Sequence, residues 1–166
     1  LALKLGNFEV IDFLGGIEDI KKKQLRVLHD KSFIDDPSRL VRMLKFSVRF
    51  GFKIEANTQK LMEEYLKNID NSMPLERIKG EFRQLFSLND KNAYLKTLFT
   101  GIYGLIGSEP LDFSLDRLNY CLDKGFVSSS FSWFIPLACL TVNSKDYWER
   151  LNLTSQEKRC LSDFSA

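Results

Sequence analysis

The segment from residue 32 to residue 46 constrains the fold most, because one amphipathic helix accounts for most of its pattern. Asp36 precedes Pro37, and this pair predicts a helix start, since Asp accepts hydrogen bonds from free first-turn amides and Pro fits the first helical position. Cations then follow at steps of three or four: Arg39, Arg42, Lys45 and Arg49. The apolar residues fall on a separate arc: Leu40, Val41, Leu44 and Val48. The pattern predicts a helix over residues 37–50 with a cationic face and a core face.

The basic charge is concentrated around this helix. Between residues 21 and 53 there are ten Lys or Arg and three Asp or Glu, a net charge of +7 in a chain whose net charge is +2. A basic segment in a near-neutral protein is typical of a site for a phosphate-bearing partner. The alternative at this stage is an ordinary solvated helix face.

Other residue types argue against several classes of site. Cys121, Cys139 and Cys160 lack metal-ligand spacing and lie among apolar residues, so we expect buried thiols in a reducing cytoplasm. His29 is the single histidine, which disfavours a His/Cys zinc site or a nucleophile–histidine triad, and we expect it to be structural. No run reaches about 18 apolar residues, so no membrane span is predicted.

The local patterns predict a mostly α fold with a short N-terminal β-hairpin. Residues 1–13 alternate around a Gly-Asn turn and predict the hairpin, and residues 25–28 predict a short extended stretch. A short helix is expected over residues 17–23, and everything after Asp36 is predicted to be helical. The predicted helices lie near 37–50, 58–68, 75–88, 91–100, 112–124, 131–142, 144–150 and 155–164. Because the chain begins with Leu1 inside an alternating apolar segment, we expect it to be a piece of a longer protein.

Two further patterns bear on packing. The helix around Glu76 has charges on one side and Ile78, Phe82, Leu85 and Phe86 on the other, and its pattern alone favours a surface helix with intrahelical Glu–Arg pairs. Trp133 lies in a segment that is apolar almost all round and is expected to be core. Thr154 and Glu157 have the spacing of a capping box.

Several motifs, in order and closely spaced, resemble the class II tRNA nucleotidyltransferase/poly(A) polymerase family. The resemblance is dense over about residues 10–90 and thin afterwards. The matching pieces are Asp12-x-x-Gly15-Gly16-x-x-Asp19, Leu25-Arg26-Val27-Leu28, Phe33-x-Asp35-Asp36-Pro37-x-Arg39-x-x-Arg42-x-x-Lys45-Phe46, Arg49-Phe50-Gly51-Phe52 and Glu76-Arg77-Ile78-x-x-Glu81.

The resemblance implies a division of the chain into three parts. Residues 1–29 would be the end of a nucleotidyltransferase head with its connection, residues 30–100 a helical neck that selects the nucleotide, and residues 101–166 part of a helical body that binds RNA. The family's glycine-rich phosphate loop and D-x-D metal pair would lie upstream, so we expect this piece alone to be inactive. The parent would be cytoplasmic and would add C and A residues to tRNA 3′ ends from CTP and ATP with Mg²⁺ held by the head.

The resemblance also assigns roles to residues. Asp36 and Arg39 match the pair that reads the incoming base, and Arg42 and Lys45 match further nucleotide-contacting positions. The supporting residues are Asp35, Arg49 and Arg77, of which Arg77 is interpreted as bracing the selecting helix. No metal ligand and no RNA-contacting residue is assigned within this chain; for the lysines at 21–23, a solvated turn is favoured over contact with RNA phosphate.

Alternatives remain open at this stage. For Asp36, which precedes Pro37, the alternative to base reading is a purely capping role. Asp36 can serve both roles only if one carboxylate oxygen caps the helix while the other faces a ligand. Asp35 stands where Glu is frequent and Lys45 where Arg is common, which leaves the preferred nucleotide open. The near rival for the parent is a poly(A) polymerase or A-adding relative. The distant rival is a non-catalytic helical RNA-binding or scaffold module, and the oligomeric state is not predicted.

Overall fold

The structure is a computed structural model, and it describes residues 1–69, 75–88, 90–105 and 151–159, together with 116, 119–120, 123 and 133. Within these residues the chain is mostly helical, as predicted. The helices are α1 Gly16–Lys21, α2 Ser32–Asp35, α3 Ser38–Phe50, α4 Ala56–Lys67, α5 Leu75–Phe86 and α6 Lys91–Thr100, followed by a 3-10 turn at Ile102–Leu105. The strands are β1 Ala2–Leu3, β2 Val10–Ile11, β3 Gln24–Leu25 and β4 Lys53–Ile54.

The N-terminal hairpin is confirmed. Strands β1 and β2 pair antiparallel, with Ala2 opposite Ile11 and Leu3 opposite Val10. Its apolar side chains are largely exposed; Phe13, for example, is 91% exposed.

Asp12 and Arg26 hold the connection from the hairpin to α1. The carboxylate of Asp12 accepts the backbone N–H of Gly16 at 2.9 Å and of Ile17 at 2.8 Å, and these bonds lower the pKa of Asp12. Arg26 pairs with Asp19 on α1 (Nε to Oδ2 2.8 Å) and also donates to the carbonyl of Leu14. The first resembling motif is therefore a folded unit in which each charged residue has a structural contact.

Strand β4 corrects one prediction. The expectation that everything after Asp36 is helical is wrong at Lys53–Ile54, which pairs parallel with β3. The turn at Gly51, in the left-handed conformation with φ 66°, ends α3 and sends the chain back toward β3. The backbone N–H of Lys53 then donates to the carbonyl of Lys23 at 2.9 Å. Local periodicity cannot reveal such a pairing, because the partners lie far apart in sequence.

The core lies between α3 and α5, with α6 against both. Leu40, Val41 and Leu44 of α3 are buried as predicted, and Val48 is partly buried. The predicted apolar face of α5 is also buried, at Ile78, Phe82, Leu85 and Phe86. Phe86 stacks on Tyr94 of α6 with ring centroids 4.9 Å apart. The apolar faces that the sequence predicts for α3 and α5 are therefore the faces that pack in the core.

The helix boundaries differ from the predicted ones by one or two residues. Helix α4 begins at Ala56 rather than 58, because the carboxylate of Glu55 caps it by accepting the N–H of Asn57 at 3.0 Å and of Thr58 at 2.8 Å. The short helix α2 was not predicted. The predicted helix 144–150, most of the predicted helices 112–124 and 131–142, the end of 155–164 and the three cysteines lie outside the described residues.

Glu157 connects the C-terminal segment to α5. The predicted capping box is present, since Glu157 accepts the N–H of Thr154 at 2.8 Å while its own N–H donates to Thr154 Oγ1 at 3.3 Å. The same carboxylate, only 1% exposed, also accepts from Lys79 Nζ at 3.2 Å and from the indole of buried Trp133 at 3.0 Å. Burial raises the pKa of Glu157, but these hydrogen bonds outweigh it, and its pKa lies below the ordinary value.

Two remaining expectations concern the whole chain. The division at residues 29 and 100 stays a prediction, and the pairing of β3 with β4 crosses the first of these boundaries. Among the described residues, no helix is long and apolar enough to cross a membrane.

Candidate functional site

Asp36 lies in the break between α2 and α3, and its two carboxylate oxygens have different partners. Oδ1 accepts from the backbone N–H of Ser38 at 3.2 Å and from its hydroxyl at 2.6 Å. Oδ2 accepts from Arg77 Nη2 at 2.8 Å. Oδ1 therefore caps α3, while Oδ2 faces the guanidinium groups of Arg77 and Arg39. A carboxylate that both caps a helix and binds a ligand needs its two oxygens to be divided in this way.

Arg39 lies in the first turn of α3, beside Asp36. Its Nη1 donates to the carbonyl of Ser32 at 3.1 Å, and its Nε lies 3.9 Å from Asp36 Oδ2. The side chain is 44% exposed. Because a guanidinium has five N–H groups, Arg39 can hold Ser32 and still donate to a ligand. The two predicted base-reading residues thus place an acceptor and a donor side by side.

Arg77 comes from α5 and reaches the same carboxylate oxygen. Its side chain is 71% exposed, although its guanidinium pairs with Asp36, whose side chain is only 13% exposed. This contact ties the start of α3 to α5 and fits the interpretation of Arg77 as a brace. A ligand that uses Asp36 Oδ2 must share this oxygen with Arg77.

Lys45 is much more buried than Arg39 and Arg42 of the same helix. Its side chain is 9% exposed, and its ammonium lies 2.6 Å from Glu81 Oε2 and 2.7 Å from Gln84 Oε1, both on α5. The reason is helical geometry, since each step of three residues rotates by about −60°, so Lys45 is turned about 120° from Arg39 and toward α5. A nucleotide contact by Lys45 stays a prediction, and it would have to break or share this buried pair.

Arg42 and Arg49 remain on the exposed face of α3. Arg42 Nη1 is 3.9 Å from Glu81 Oε1, and its guanidinium lies 5.7 Å from the centre of the Phe46 ring. Arg49 lies 5.4 Å from the centre of the Phe50 ring. Both cations are therefore held over aromatic rings while staying accessible to an anionic ligand.

Asp35 does not join this group. It ends α2, where its Oδ2 lies 3.6 Å from His29 Nε2, and both side chains are 52% exposed. Its supporting role stays a prediction. Asp35 is thus a surface neighbour of His29, and the structural role of His29 stays a prediction.

Sequence reasoning missed Glu81 and Gln84 as partners across the helix interface. The pattern favoured intrahelical pairs on α5, whereas Arg77, Lys79 and Glu81 contact residues of other segments. The available signal was the position of Glu81, which lies three residues after Ile78 and four before Leu85 and so borders the apolar face of α5. Among the described residues, no group of three or more His, Cys, Asp or Glu side chains could hold a metal ion.

Lys45 gives a stability test of this interface. We expect Lys45→Met to lower the free energy of unfolding by about 2–3 kcal/mol, because Glu81 is then left with a poorly compensated charge in the interface. Urea denaturation measures the change. Lys60→Met, at an exposed pair with Glu64 on α4, is the matched control and should shift stability by less than about 1 kcal/mol. Equal small shifts in both variants would show that the Lys45 pair contributes no more than a surface pair.

The chain is similar in sequence to curated tRNA nucleotidyltransferases. The chain is 30% identical over 134 residues, 67% of its length, to the A-adding tRNA nucleotidyltransferase of Aquifex aeolicus, and covers 16% of that protein. It is 40% identical over 79 residues, 46% of its length, to the CCA-adding enzyme of Leuconostoc mesenteroides subsp. mesenteroides, and covers 20% of it. No family model matches the chain.

A likeness to solved structures supports the fold. The structure of a CCA-adding enzyme in complex with ATP superposes with a TM-score of 0.70 at 22% identity, covering 90% of this chain and 39% of that one. Both curated relatives are named as enzymes that add nucleotides to tRNA. The chain belongs to the class II tRNA nucleotidyltransferase/poly(A) polymerase family, and it spans 16% and 20% of the length of the two curated relatives above.

Proposed function

We propose that this chain is the base-selecting and RNA-binding part of a nucleotidyltransferase that adds C and A residues to tRNA 3′ ends from CTP and ATP. The observation that carries the proposal is the placement of Asp36 Oδ2 and the Arg39 guanidinium, 3.9 Å apart at the start of α3. The relatives' names, A-adding tRNA nucleotidyltransferase and CCA-adding enzyme, support the reaction class.

The chemistry of the bases explains how such a pair selects. Cytosine and adenine both carry an exocyclic amino group beside a ring nitrogen acceptor, so the amino group can donate to Asp36 while Arg39 donates to the ring nitrogen. Uracil and guanine present a carbonyl oxygen where the amino group would be, and this oxygen would face the carboxylate acceptor to acceptor. A good bidentate contact is worth about 1–3 kcal/mol of discrimination.

The other residues have supporting roles in this proposal. Arg77 fixes the orientation of Asp36 by holding Oδ2, and the Ser38 cap fixes Oδ1. Arg42 is placed to bind a phosphate of the nucleotide from the exposed face of α3. The resemblance implies that Mg²⁺ would be held by carboxylates of a catalytic head.

Addition of A alone is the second candidate for the parent. The similarity to the A-adding enzyme of Aquifex aeolicus, over 67% of the chain, favours it as much as the other matches favour addition of C and A. Asp36 and Arg39 do not separate the two, because cytosine and adenine present the same pair of groups. Sequencing the product that the full-length parent makes on a tRNA lacking its 3′ end separates them.

Calorimetric titration of the chain with four nucleotides tests the proposal. We expect CTP and ATP to bind measurably more tightly than UTP and GTP. Equal affinity for all four nucleotides would contradict base selection and would favour a helical scaffold that binds RNA phosphates without reading a base.

A further inference from the structure

Ser38 is the first residue of α3, and its side chain contacts the carboxylate of Asp36. The residue is only 4% exposed. Its hydroxyl donates to Asp36 Oδ1 at 2.6 Å, whereas its backbone N–H donates to the same oxygen at 3.2 Å. The hydroxyl bond has the short length of a charge-assisted hydrogen bond, while the N–H bond lies at the long end of the usual range. The side chain of Ser38 therefore holds Oδ1 more firmly than its backbone does.

The motif that carries the resemblance leaves position 38 unspecified, so it assigns Ser38 no role. A helix cap needs an acceptor for a free first-turn N–H, and Asp36 Oδ1 supplies this acceptor to the backbone of Ser38. The second bond, from the hydroxyl, is more than capping requires. Its effect is to fix the orientation of the carboxylate.

The hydrogen bonds that reach the Asp36 carboxylate from the described residues are divided unequally between its oxygens. Ser38 supplies both bonds to Oδ1, and Arg77 Nη2 donates to Oδ2 at 2.8 Å. A carboxylate has about four acceptor positions, shared by its two oxygens. Within the described part of the chain, the position that these bonds leave open is therefore on Oδ2. This is the oxygen that lies 3.9 Å from Arg39 Nε.

The carbonyl of Ser32 ties the two base-reading residues together. It accepts from Arg39 Nη1 at 3.1 Å and from the backbone N–H of Asp36 at 3.3 Å. These bonds relate the guanidinium of Arg39 to the backbone of Asp36, but they do not set the rotation of the Asp36 carboxylate. Among the described residues, Ser38 and Arg77 are the hydrogen-bond donors that limit this rotation.

We propose that the Ser38 hydroxyl is a specificity-determining positioning group, which keeps Asp36 Oδ2 directed at the base. Rejection of uracil requires an acceptor that cannot turn away from the carbonyl oxygen of the base. A carboxylate that is free to rotate would relieve this repulsion, and discrimination depends on the repulsive contact as well as on the attractive one. This inference rests on the proposed function, since it takes base reading by Asp36 from there.

Ser38→Ala tests the inference, because it removes the hydroxyl and keeps the backbone N–H that donates to Oδ1. The wild-type chain and the variant are titrated calorimetrically with CTP and with UTP. We expect the ratio of CTP to UTP affinity to fall roughly threefold to tenfold, the effect of one hydrogen bond. The affinity for CTP should decrease and that for UTP should increase. A merely structural role would weaken both nucleotides alike and leave the ratio unchanged.

Ser47→Ala is the matched control. Ser47 is another buried serine of α3, 3% exposed, and its hydroxyl is also hydrogen-bonded, to Lys96. This variant should keep the wild-type ratio, and an equal fall in both alanine variants would overturn the inference. Ser38→Thr keeps a hydroxyl at position 38 and should recover most of the ratio. A folded Ser38→Thr protein with the same low ratio as Ser38→Ala would also overturn it.

The same titrations separate this inference from the proposed function. A wild-type preference for CTP that persists unchanged in Ser38→Ala would overturn the role of Ser38 and leave base selection intact. Equal affinity of the wild-type chain for CTP and UTP would contradict base selection itself, and the role of Ser38 with it.

Discussion

Replacing Asp36 by alanine is expected to remove most of the preference for CTP and ATP over UTP and GTP. The carboxylate is the acceptor for the exocyclic amino group, and its loss should reduce discrimination by about 1–3 kcal/mol, roughly fivefold to a hundredfold in relative affinity. Titration of the purified variant with CTP and UTP measures the ratio directly.

Glu64→Ala is the matched control for this variant. It also removes a carboxylate, but one that is 56% exposed and pairs with Lys60 on α4, outside the candidate site. It should therefore retain the wild-type preference. Thermal unfolding of Asp36→Ala shows how much of its effect comes from the lost helix cap, which is worth about 0.5–2 kcal/mol in stability. A folded Asp36→Ala protein with the wild-type ratio of CTP to UTP affinity would contradict the assignment of Asp36.

Lys79→Met is expected to have the largest effect on stability. Lys79 Nζ donates to Glu157 Oε2 at 3.2 Å and to the carbonyl of Asn152 at 3.0 Å, and the two charged side chains are 9% and 1% exposed. Removing one partner of a buried ion pair leaves the other charge uncompensated, which costs about 3–5 kcal/mol. We expect a loss of stability near the lower end of this range, because the Glu157 carboxylate still accepts hydrogen bonds from Trp133 and Thr154. Urea denaturation measures it.

The double variant Lys79→Met/Glu157→Gln is the control for this effect. It removes the stranded charge, so it should recover part of the lost stability, since glutamine can still accept from Trp133 or Thr154. A double variant less stable than Lys79→Met, or a Lys79→Met protein within about 0.5 kcal/mol of wild type, would contradict the buried pair as the cause.

The pH dependence of stability tests the same carboxylate. Because the folded-state pKa of Glu157 lies below its ordinary value of 4.5, the folded state binds its proton less readily than the unfolded state does. Its contribution is therefore fully present above about pH 4.5 and is lost as the pH falls through the folded-state pKa. Comparison with Glu157→Gln isolates it, and the difference in unfolding free energy between the two proteins should shrink on acidification. A difference independent of pH would contradict the depressed pKa.

Much of the helical architecture could be predicted from local patterns. Helix α3 follows from a capping Asp, a first-turn Pro and apolar residues at helical spacing, all within one short segment. The buried face of α5 follows from the same periodicity. The capping box at Thr154 is likewise local, since its two members lie three residues apart. These features succeed because the physics that determines them acts within one or two helical turns.

The strand and the ion pairs that the sequence did not reveal depend on distant partners. Strand β4 consists of Lys53 and Ile54, and only its pairing with β3 makes it a strand. Lys45 belongs to the cationic series of α3, but the presence of Glu81 on α5 decides that it is buried. Glu157 was recognised as a cap, whereas its pairing with Lys79 depends on how the C-terminal segment packs on α5. In each case the missing information was which segments meet.

The ratio of CTP to UTP affinity in wild type and in Asp36→Asn tests the central claim most directly. Asparagine can keep the capping oxygen on the Ser38 N–H and place an amide donor where Oδ2 now lies, and Arg77, which donates to Oδ2 in the wild type, then loses this acceptor and has to turn away. That donor suits the carbonyl oxygen of uracil and no longer accepts from the amino group of cytosine. Base selection by Asp36 predicts a wild-type preference for CTP that is lost or reversed in Asp36→Asn. The same preference for CTP in both proteins, with the fold intact by circular dichroism, would contradict it.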